Sequence, residues 1–444
     1  MKKNVTTDTV QGDAEVLLRV EAERKLIRPG GSARHIDISV KAPESRKEAA
    51  RAPLGLALVI DRSGSMQGSK LQTAKAATIA VIERLTAEDT ASVVIFDSEV
   101  ETLLPEGRMT DARKAEARRL IAQVEARSAT ALHEGWLTGC RSIAAESSAA
   151  GEINRLGRCF LLTDGLANEG LLDAEQIAAQ AADIRRNALV STSTFGIGDD
   201  YDEALIAPMA VAGNGQFHHL RDEADILSTF SGELNEMFDV TARGVRIEID
   251  ADSAVTPELV SMYWSGTQGK FGPFRIDIGD LISGEERHIV ARLHFGRIAA
   301  AARVAVKVRA LWRNGYEEIA GPWQELMFEG ADDATCDAER QNMQVMHWVG
   351  LHHAEKVRAD SLPLYRNGNA EQAEKSIGAV VRRMRRYASE DPDLVSVVKE
   401  LEELSSTYRE NRMTQRMAKE TLYKSATNSR MQRDHRNQQG DSPA

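Results

Sequence analysis

The chain has 444 residues, of which 42% are hydrophobic, and this length is sufficient for two to four domains, each with a packed core. Its formal net charge of −11 argues against a general nucleic-acid-binding protein, because phosphate contacts require a basic surface. No apolar run is long enough to span a bilayer, and no apolar segment follows the two lysines at the amino terminus. We therefore expect a cytoplasmic protein with no membrane span and no nucleic acid as a partner.

The first predicted elements are two strands between residues 15 and 42. The alternating runs EVLLRVEAE and RHIDISVKA are separated by RPGGS, which is typical of a turn. Two strands do not form a stable sheet alone, so these two need partners elsewhere in the chain. The polar, proline-bounded segment from Pro43 to Pro53 is predicted to be a linker.

The stretch from Leu54 to Met66, LGLALVIDRSGSM, combines an apolar run with a polar loop. The run is typical of a parallel strand that helices cover on both faces. Asp61, Ser63 and Ser65 follow at its carboxyl end, where open α/β sheets bind their ligands. Their oxygens are hard donors that suit Mg²⁺, Mn²⁺ or Ca²⁺. Taken alone, this short pattern also fits a helix N-cap and a turn.

Strands and helices then alternate up to about residue 240, as a doubly wound, mostly parallel α/β sheet requires. Thr130 lies in the loop RSATAL, and Asp164 ends a second buried run in FLLTDGLANEG. The loops at the carboxyl ends of parallel strands gather on one edge of such a sheet. We therefore expect Thr130 and Asp164 to meet the Asp and Ser side chains of the first loop.

Beyond Gly244 the pattern changes to short alternating runs without helices. Six runs, VRIEID, LVSMYWS, FRIDIG, RHIVARLHF, RVAVKVRALW and EEIAGPWQELMF, are typical of a β-sandwich. We expect the two amino-terminal strands to complete this sandwich, so that the α/β domain is inserted into it. Two separate β elements are the alternative.

The last part of the chain is predicted to be helical, with breaks at RNGN and EDPD. The final residues contain too little apolar surface to fold. The predicted organisation is therefore 1–42, amino-terminal strands of the β-sandwich; 54–240, α/β domain; 244–329, β-sandwich; 337–424, carboxyl-terminal helical region; and 428–444, disordered tail.

The order and placement of these motifs resemble the von Willebrand factor type A domain, from about Leu54 to Phe238. Three further stretches carry the resemblance, namely TDGLANEG, TFGIGDDYDEALIAPMA and GNGQFHHLRDEADILSTF. Within the family the chain most resembles stand-alone bacterial members. One departure is that Ser128 and Ala129 stand before the threonine where many members carry two glycines.

The resemblance implies a metal-ion-dependent adhesion site with Asp61, Ser63, Ser65, Thr130 and Asp164 as ligands. It implies Mg²⁺, or Mn²⁺ or Ca²⁺, as the ion, with an Asp or Glu carboxylate of a protein partner completing the coordination. An ion held mainly by neutral hydroxyls remains electrophilic, which favours an anionic ligand. We therefore predict a metal-dependent protein-interaction module, a scaffold or adaptor, and not an enzyme. Resembling bacterial proteins are often associated with MoxR-type AAA+ ATPases, so such an ATPase is a candidate partner.

A metal-dependent hydrolase that uses the same ion as a Lewis acid is the alternative function. Other catalytic signatures are weak, because His133 and Glu134 lack the second histidine of a zinc-protease motif. His218 and His219 point to opposite faces of a predicted strand and cannot share an ion.

Three further histidines, His347, His352 and His353, lie on a predicted helix at a spacing poorly suited to shared ligation. Each is predicted to be packed or at the surface.

Overall fold

A computed structural model gives the arrangement of most of the chain. The structure describes residues 15–45, 52–127, 130–149, 156–164, 167–221, 223–267, 272–314 and 317–431. The central part of the predicted linker, the pair Ser128 and Ala129, and the predicted tail from residue 432 onward lie outside the described residues.

The amino-terminal strands are β1 (Leu17–Ala22), β2 (Leu26–Ile27) and β3 (Ser32–Lys41). β1 pairs antiparallel with β3, and Leu17 at the start of β1 lies opposite Lys41 at the end of β3. Gly31 precedes β3 with a φ of 114°, a backbone conformation that favours glycine.

An α/β domain follows, built around a six-stranded sheet. Its strands are β4 (Leu54–Asp61), β5 (Thr90–Phe96), β6 (Val100–Arg108), β7 (Leu156–Thr163), β8 (Val190–Ile197) and β9 (Asn214–Leu220). The strand order is β6-β5-β4-β7-β8-β9, and all neighbours are parallel except β5 and β6. The predicted doubly wound, mostly parallel sheet is therefore confirmed. β6 is not predicted from the sequence; it is an edge strand that contains Pro105.

Six helices cover the two faces of this sheet. They are α1 (Ser69–Arg84), α2 (Asp111–Ala122), α3 (Leu132–Ala149), α4 (Ala174–Ala188), α5 (Glu203–Ala212) and α6 (Glu223–Phe238). Successive residues of β4 serve different cores, because Leu58 packs with α1 and α6 whereas Val59 packs with α3 and α5. Gly139 allows α3 to approach β4 closely, since a Cβ there would lie 2.3 Å from Val59 Cγ2.

The chain then returns to β structure. The strands are β10 (Val240–Ala251), β11 (Val255–Leu259), β12 (Trp264–Thr267), β13 (Phe274–Ile282), β14 (Glu286–Phe295), β15 (Arg303–Asn314), β16 (Glu317–Ala320) and β17 (Gln324–Gly330). Together with β1, β2 and β3, these strands form two sheets. The four-stranded sheet has the order β1-β3-β14-β11, and the larger sheet has the order β12-β13-β10-β15-β17-β2, with β16 beside β15.

The amino-terminal strands join these later strands directly. β3 pairs with β14 from Ser32 opposite Phe295 to Lys41 opposite Glu286. Residues of both sheets, such as Ile38 of β3 and Ile247 of β10, belong to one hydrophobic core.

Two predicted strands differ from the observed ones. The run LVSMYWS is not one strand, because β11 ends at Leu259 and β12 begins only at Trp264. Between them, the Ser261 hydroxyl accepts a hydrogen bond from the Val290 N–H at 2.9 Å, so that a side chain and not a backbone carbonyl is the acceptor at this point. The run EEIAGPWQELMF is divided into β16 and β17, since Pro322 in its centre cannot donate a ladder hydrogen bond.

The carboxyl-terminal region is helical, as predicted. Its helices are α7 (Asp333–Ala338), α8 (Met343–Arg366), α9 (Ala370–Met384), α10 (Pro392–Arg409) and α11 (Gln415–Ser429). α8, α9 and α10 share a hydrophobic core with Val290 of β14, whereas α11 packs Tyr423 and Ala426 into the α/β domain. None of the described helices is long and apolar enough to cross a membrane.

The predicted start of a disordered tail at residue 428 is wrong. α11 continues to Ser429, and Arg430 is only 1% exposed. The Arg430 guanidinium donates from Nη1 to the Gly215 carbonyl oxygen at 2.6 Å. The polar composition of the segment around Arg430 does not indicate this contact, because a single buried arginine leaves the segment without an apolar pattern.

Candidate metal centre

β4 places Asp61 at the carboxyl edge of the six-stranded sheet, as its last residue. The side chain is fully buried, and Oδ1 accepts a hydrogen bond from the Ser63 N–H at 2.7 Å. Oδ2 accepts a second hydrogen bond from the Thr163 hydroxyl at 2.6 Å. Burial raises the pKa of Asp61 to about 6, although both hydrogen bonds stabilise the charged form and oppose this rise.

Ser63, Ser65 and Asp164 connect the loops that follow β4 and β7. The hydroxyl oxygens of Ser63 and Ser65 lie 3.1 Å apart, and the Ser65 hydroxyl donates to Asp164 Oδ1 at 2.8 Å. Asp164 is fully buried, whereas Ser65 is exposed. The cluster is therefore deep on its carboxylate side and open to solvent at Ser65.

Thr130 reaches the same place from the loop before α3. Its N–H donates to Asn168 Oδ1 at 3.1 Å, and the Asn168 N–H donates to the Thr130 carbonyl oxygen at 3.3 Å. Thr130 also lines the same cleft as Ser63 and Ser65. All five predicted residues thus meet at one edge of the sheet, and their role as metal ligands stays a prediction.

Three charged residues at this edge, Arg62, Lys70 and Asp97, are not among the predicted site residues. Arg62 Nε lies 2.8 Å from Asp97 Oδ2, and both residues are buried. The Lys70 ammonium donates to Asp164 Oδ2 at 2.5 Å. A signal for Asp97 was present in the sequence, because it directly follows β5, which is parallel to β4.

Two backbone hydrogen bonds hold the loop that carries Thr130 against the sheet. The Arg127 N–H donates to the Arg62 carbonyl oxygen, and the Ala131 N–H donates to the Asp97 carbonyl oxygen, both at 2.7 Å. The loop is therefore fixed on each side of Thr130 by the chain that leaves β4 and β5.

A cleft of about 830 Å³ opens above the cluster. One side carries the hydroxyl residues Ser63, Ser65 and Thr130, and another side is the acidic segment 199–203. Arg366 at the end of α8 and Lys419 of α11 also line this cleft. The carboxyl-terminal helices are thus part of the surroundings of the candidate centre.

Glu203 joins the α/β domain to these helices. It forms ion pairs with Lys419 and with Arg366, and Lys419 also donates to the Tyr201 carbonyl oxygen at 2.5 Å. Burial alone would raise the pKa of Glu203, but the hydrogen bond from Lys419 and the charges of Lys419 and Arg366 lower it. The segment at the rim of the cleft is therefore fixed by charges from α8 and α11.

The donor set fits a hard divalent cation. It consists of two carboxylates and three hydroxyls, and Mg²⁺ prefers oxygen ligands in octahedral geometry. Oxygens that share one octahedral ion at about 2.1 Å lie about 3 Å apart. The separations of 3.1 Å between Ser63 and Ser65 and 2.8 Å between Ser65 and Asp164 match this spacing.

The fold and this cluster define a class of protein, in which a doubly wound α/β domain carries aspartates and hydroxyl residues at its carboxyl edge. The family model described as the von Willebrand factor type A domain matches residues 56–232. The chain therefore contains a von Willebrand factor type A domain, which confirms the family predicted from the sequence.

Known proteins are similar to different parts of the chain, in structure or in sequence. The structure described as von Willebrand factor type A from Catenulispora acidiphila has a TM-score of 0.73 at 17% identity and covers 94% of this chain and 98% of its own. Protein sll0103 from Synechocystis sp. is 25% identical over 290 residues, which are 63% of this chain and 66% of that protein. YfbK from Escherichia coli is 26% identical over 255 residues, which are 56% of this chain and 43% of that protein. The chain thus spans less than two thirds of either relative's length.

Proposed function

We propose that the chain is a metal-dependent protein-interaction module, a scaffold or adaptor. Asp61, Ser63, Ser65, Thr130 and Asp164 would hold Mg²⁺, or Mn²⁺ or Ca²⁺, and the ion would supply an electrophilic contact for a carboxylate. The observation that carries the proposal is a cluster of oxygen donors that is buried on one side and open on the other. Von Willebrand factor type A domains are generally interaction modules, which supports this reading.

The charges around the cluster favour an anionic ligand from outside. The two carboxylates would balance a divalent ion, but the Lys70 ammonium already neutralises part of the charge of Asp164. The ion, its two carboxylates and Lys70 would together keep a net positive charge, which an Asp or Glu of a partner could compensate at the ion.

The walls of the cleft suggest what kind of partner segment fits. Asp199 and Asp200 are exposed at the rim, and they would repel a partner with many acidic residues. A single carboxylate on a neutral or basic segment suits this cleft better. A MoxR-type AAA+ ATPase remains our candidate partner, and a cytoplasmic location is part of the same proposal.

The first test compares ion binding by calorimetry. We expect Asp61→Ala to abolish Mg²⁺ and Mn²⁺ binding, since it removes one of two charged donors. Asp200→Asn is the matched control, because it removes a carboxylate from the rim of the same cleft and leaves the five donors intact. Equal Mn²⁺ affinity in the wild type and in Asp61→Ala would exclude the proposed ligand set.

The second test concerns the partner. Thr130→Ala removes a neutral donor and leaves both carboxylates, so ion binding should weaken while capture of the candidate ATPase should be lost. The measurement is ATPase capture in Mg²⁺ and in EDTA, for wild type and Thr130→Ala. Capture of equal strength in all four conditions would rule out metal-bridged recognition.

A further inference from the structure

A second cleft, of about 680 Å³, lies between the four-stranded sheet and the carboxyl-terminal helices. It is far more acidic than basic. Its carboxylates are Glu21, Asp37, Glu286, Glu390, Asp391 and Asp393. Arg19 is the one arginine or lysine that lines it among the residues that the structure describes. This excess of negative charge favours a cationic ligand.

Three potential ligands meet on the helical side of this cleft. One ring nitrogen of His347 and one carboxylate oxygen each of Asp391 and Asp393 lie within 4.8 Å of one another. They come from two helices, since His347 lies in the second turn of α8 and the two aspartates stand at the start of α10. Comparing His347 only with the histidines on its own helix could not reveal this cluster.

The start of α10 holds Asp391 in a fixed orientation. Its Oδ1 accepts hydrogen bonds from the N–H groups of Asp393 and Leu394, both at 3.1 Å, and caps the helix. Its Oδ2 lies 2.7 Å from His347 Nδ1. The cap therefore occupies one oxygen of Asp391 and directs the other toward His347.

Asp37 is a second feature of this cleft that favours a cationic ligand. It is 8% exposed and lines the cleft from β3, with Oδ2 at 2.8 Å from His288 Nδ1. Its Oδ1 is buried and has no hydrogen-bond partner among the described residues. The ring centroids of His288 and Trp348 are 3.8 Å apart, and those of Trp348 and His347 are 4.9 Å apart. Asp37 is thus connected to the cluster through His288 and Trp348.

We infer that His347, Asp391 and Asp393 bind a second divalent metal ion, of the zinc class. An imidazole nitrogen with two carboxylates suits Zn²⁺, whereas the oxygen-only cluster at Asp61 suits Mg²⁺. Three protein ligands leave a coordination position that faces the cleft. The ion would also link α8 to α10. Because it would bind the folded state and not the unfolded state, it would stabilise these helices.

The test is a Zn²⁺ titration by calorimetry in an Asp61→Ala background, so that failure of the first site does not affect the result. We expect one Zn²⁺ per chain in this background, and at least a tenfold loss of affinity when Asp393→Asn or His347→Gln is added. Asp393 is exposed, so its variant should keep the fold. Glu390→Gln is the matched control, since Glu390 is an exposed carboxylate of the same cleft outside the cluster.

A thermal scan gives a second readout. Zn²⁺ should raise the melting temperature of the Asp61→Ala protein and of its Glu390→Gln derivative, but not that of its Asp393→Asn derivative. If the Asp393→Asn and His347→Gln derivatives bind Zn²⁺ as tightly as the background protein, the site does not exist. Loss of all Zn²⁺ binding in Asp61→Ala itself would also overturn the inference.

Discussion

Two buried carboxylates of the α/β domain, Glu233 and Asp61, differ in the charges that surround them. Glu233 is fully buried and contacts Arg158 at 2.8 Å and His218 at 2.7 Å. Burial would raise its pKa, but the hydrogen bond from His218 and the charges of His218 and Arg158 lower the pKa to about 2. Asp61 is equally buried, and no lysine, arginine or histidine of the described residues forms an ion pair with it. Under the proposed function, a divalent ion would supply the positive charge beside Asp61.

His352 should make the stability of the helical region depend on pH. It is 2% exposed and donates from Nε2 to the His288 carbonyl oxygen at 3.0 Å, and burial lowers its pKa to about 4. Because the unfolded chain binds this proton more readily, the neutral histidine contributes stability above pH 6.5, which is lost as the pH falls toward 4.

The expected size follows from this shift. Between pH 7.5 and pH 5 the wild type should lose about 2 kcal/mol more of unfolding free energy than His352→Gln, whose amide keeps a donor but does not titrate. The measurement is urea unfolding at both pH values, followed by the fluorescence of the neighbouring Trp348. Parallel pH profiles in the two proteins would show that His352 does not titrate in this range.

At the scale of elements, α11 contacts the cleft above the candidate metal centre through Lys419. Lys419 lies in α11 and pairs with Glu203 at the first turn of α5, and both side chains are almost fully buried. Without Lys419, the buried Glu203 would keep only its ion pair with the more exposed Arg366, so its charge would be poorly compensated.

We predict that Lys419→Met lowers the free energy of opening of α11 by about 3 kcal/mol. Native-state hydrogen exchange of the α11 amides measures this quantity. The double variant Lys419→Met with Glu203→Gln should recover about 2 kcal/mol, because it removes both charges. Additive effects of the two substitutions would show that the pair is not coupled.

These elements also show how far sequence patterns extend. The buried runs around β4 and β7 predict the sheet and the meeting of Asp61 with Asp164, because apolar periodicity is a local property. The contact of Lys419 with Glu203 spans 216 residues, and no local pattern reports it. The end of α11 was missed for the same reason, since Arg430 contacts Gly215, which is distant in the sequence. β6 pairs with its sequence neighbour β5, but its glutamates and Pro105 interrupt the apolar alternation that predicts a strand.

At the scale of the whole molecule, the first strands are central to the four-stranded sheet. β3 lies between β1 and β14, and Ile36, Ile38 and Val40 of β3 are fully buried in the core shared with the larger sheet. The α/β domain lies in the sequence between the two partners of this pairing.

Deletion of residues 1–41 should therefore leave β14 with an open edge and expose the shared core. We expect the truncated protein to aggregate although its α/β domain is complete. Deletion of residues 1–14 is the matched control, because it leaves β1 to β3 intact. Light scattering after size exclusion distinguishes the outcomes, and a monomeric 1–41 deletion would disprove the structural role of β3.

The pairing of β3 with β14 also has a consequence for synthesis on the ribosome. Lys41 pairs with Glu286, so 245 further residues are translated after Lys41 before the first contact of this ladder can form. At about 5 to 20 residues per second, this delay is about 12 to 50 s. The α/β domain can fold during that interval, whereas the apolar face of β3 stays without its final partner. Until Glu286 emerges, the nascent chain therefore exposes apolar surface of β3 to which a chaperone can bind.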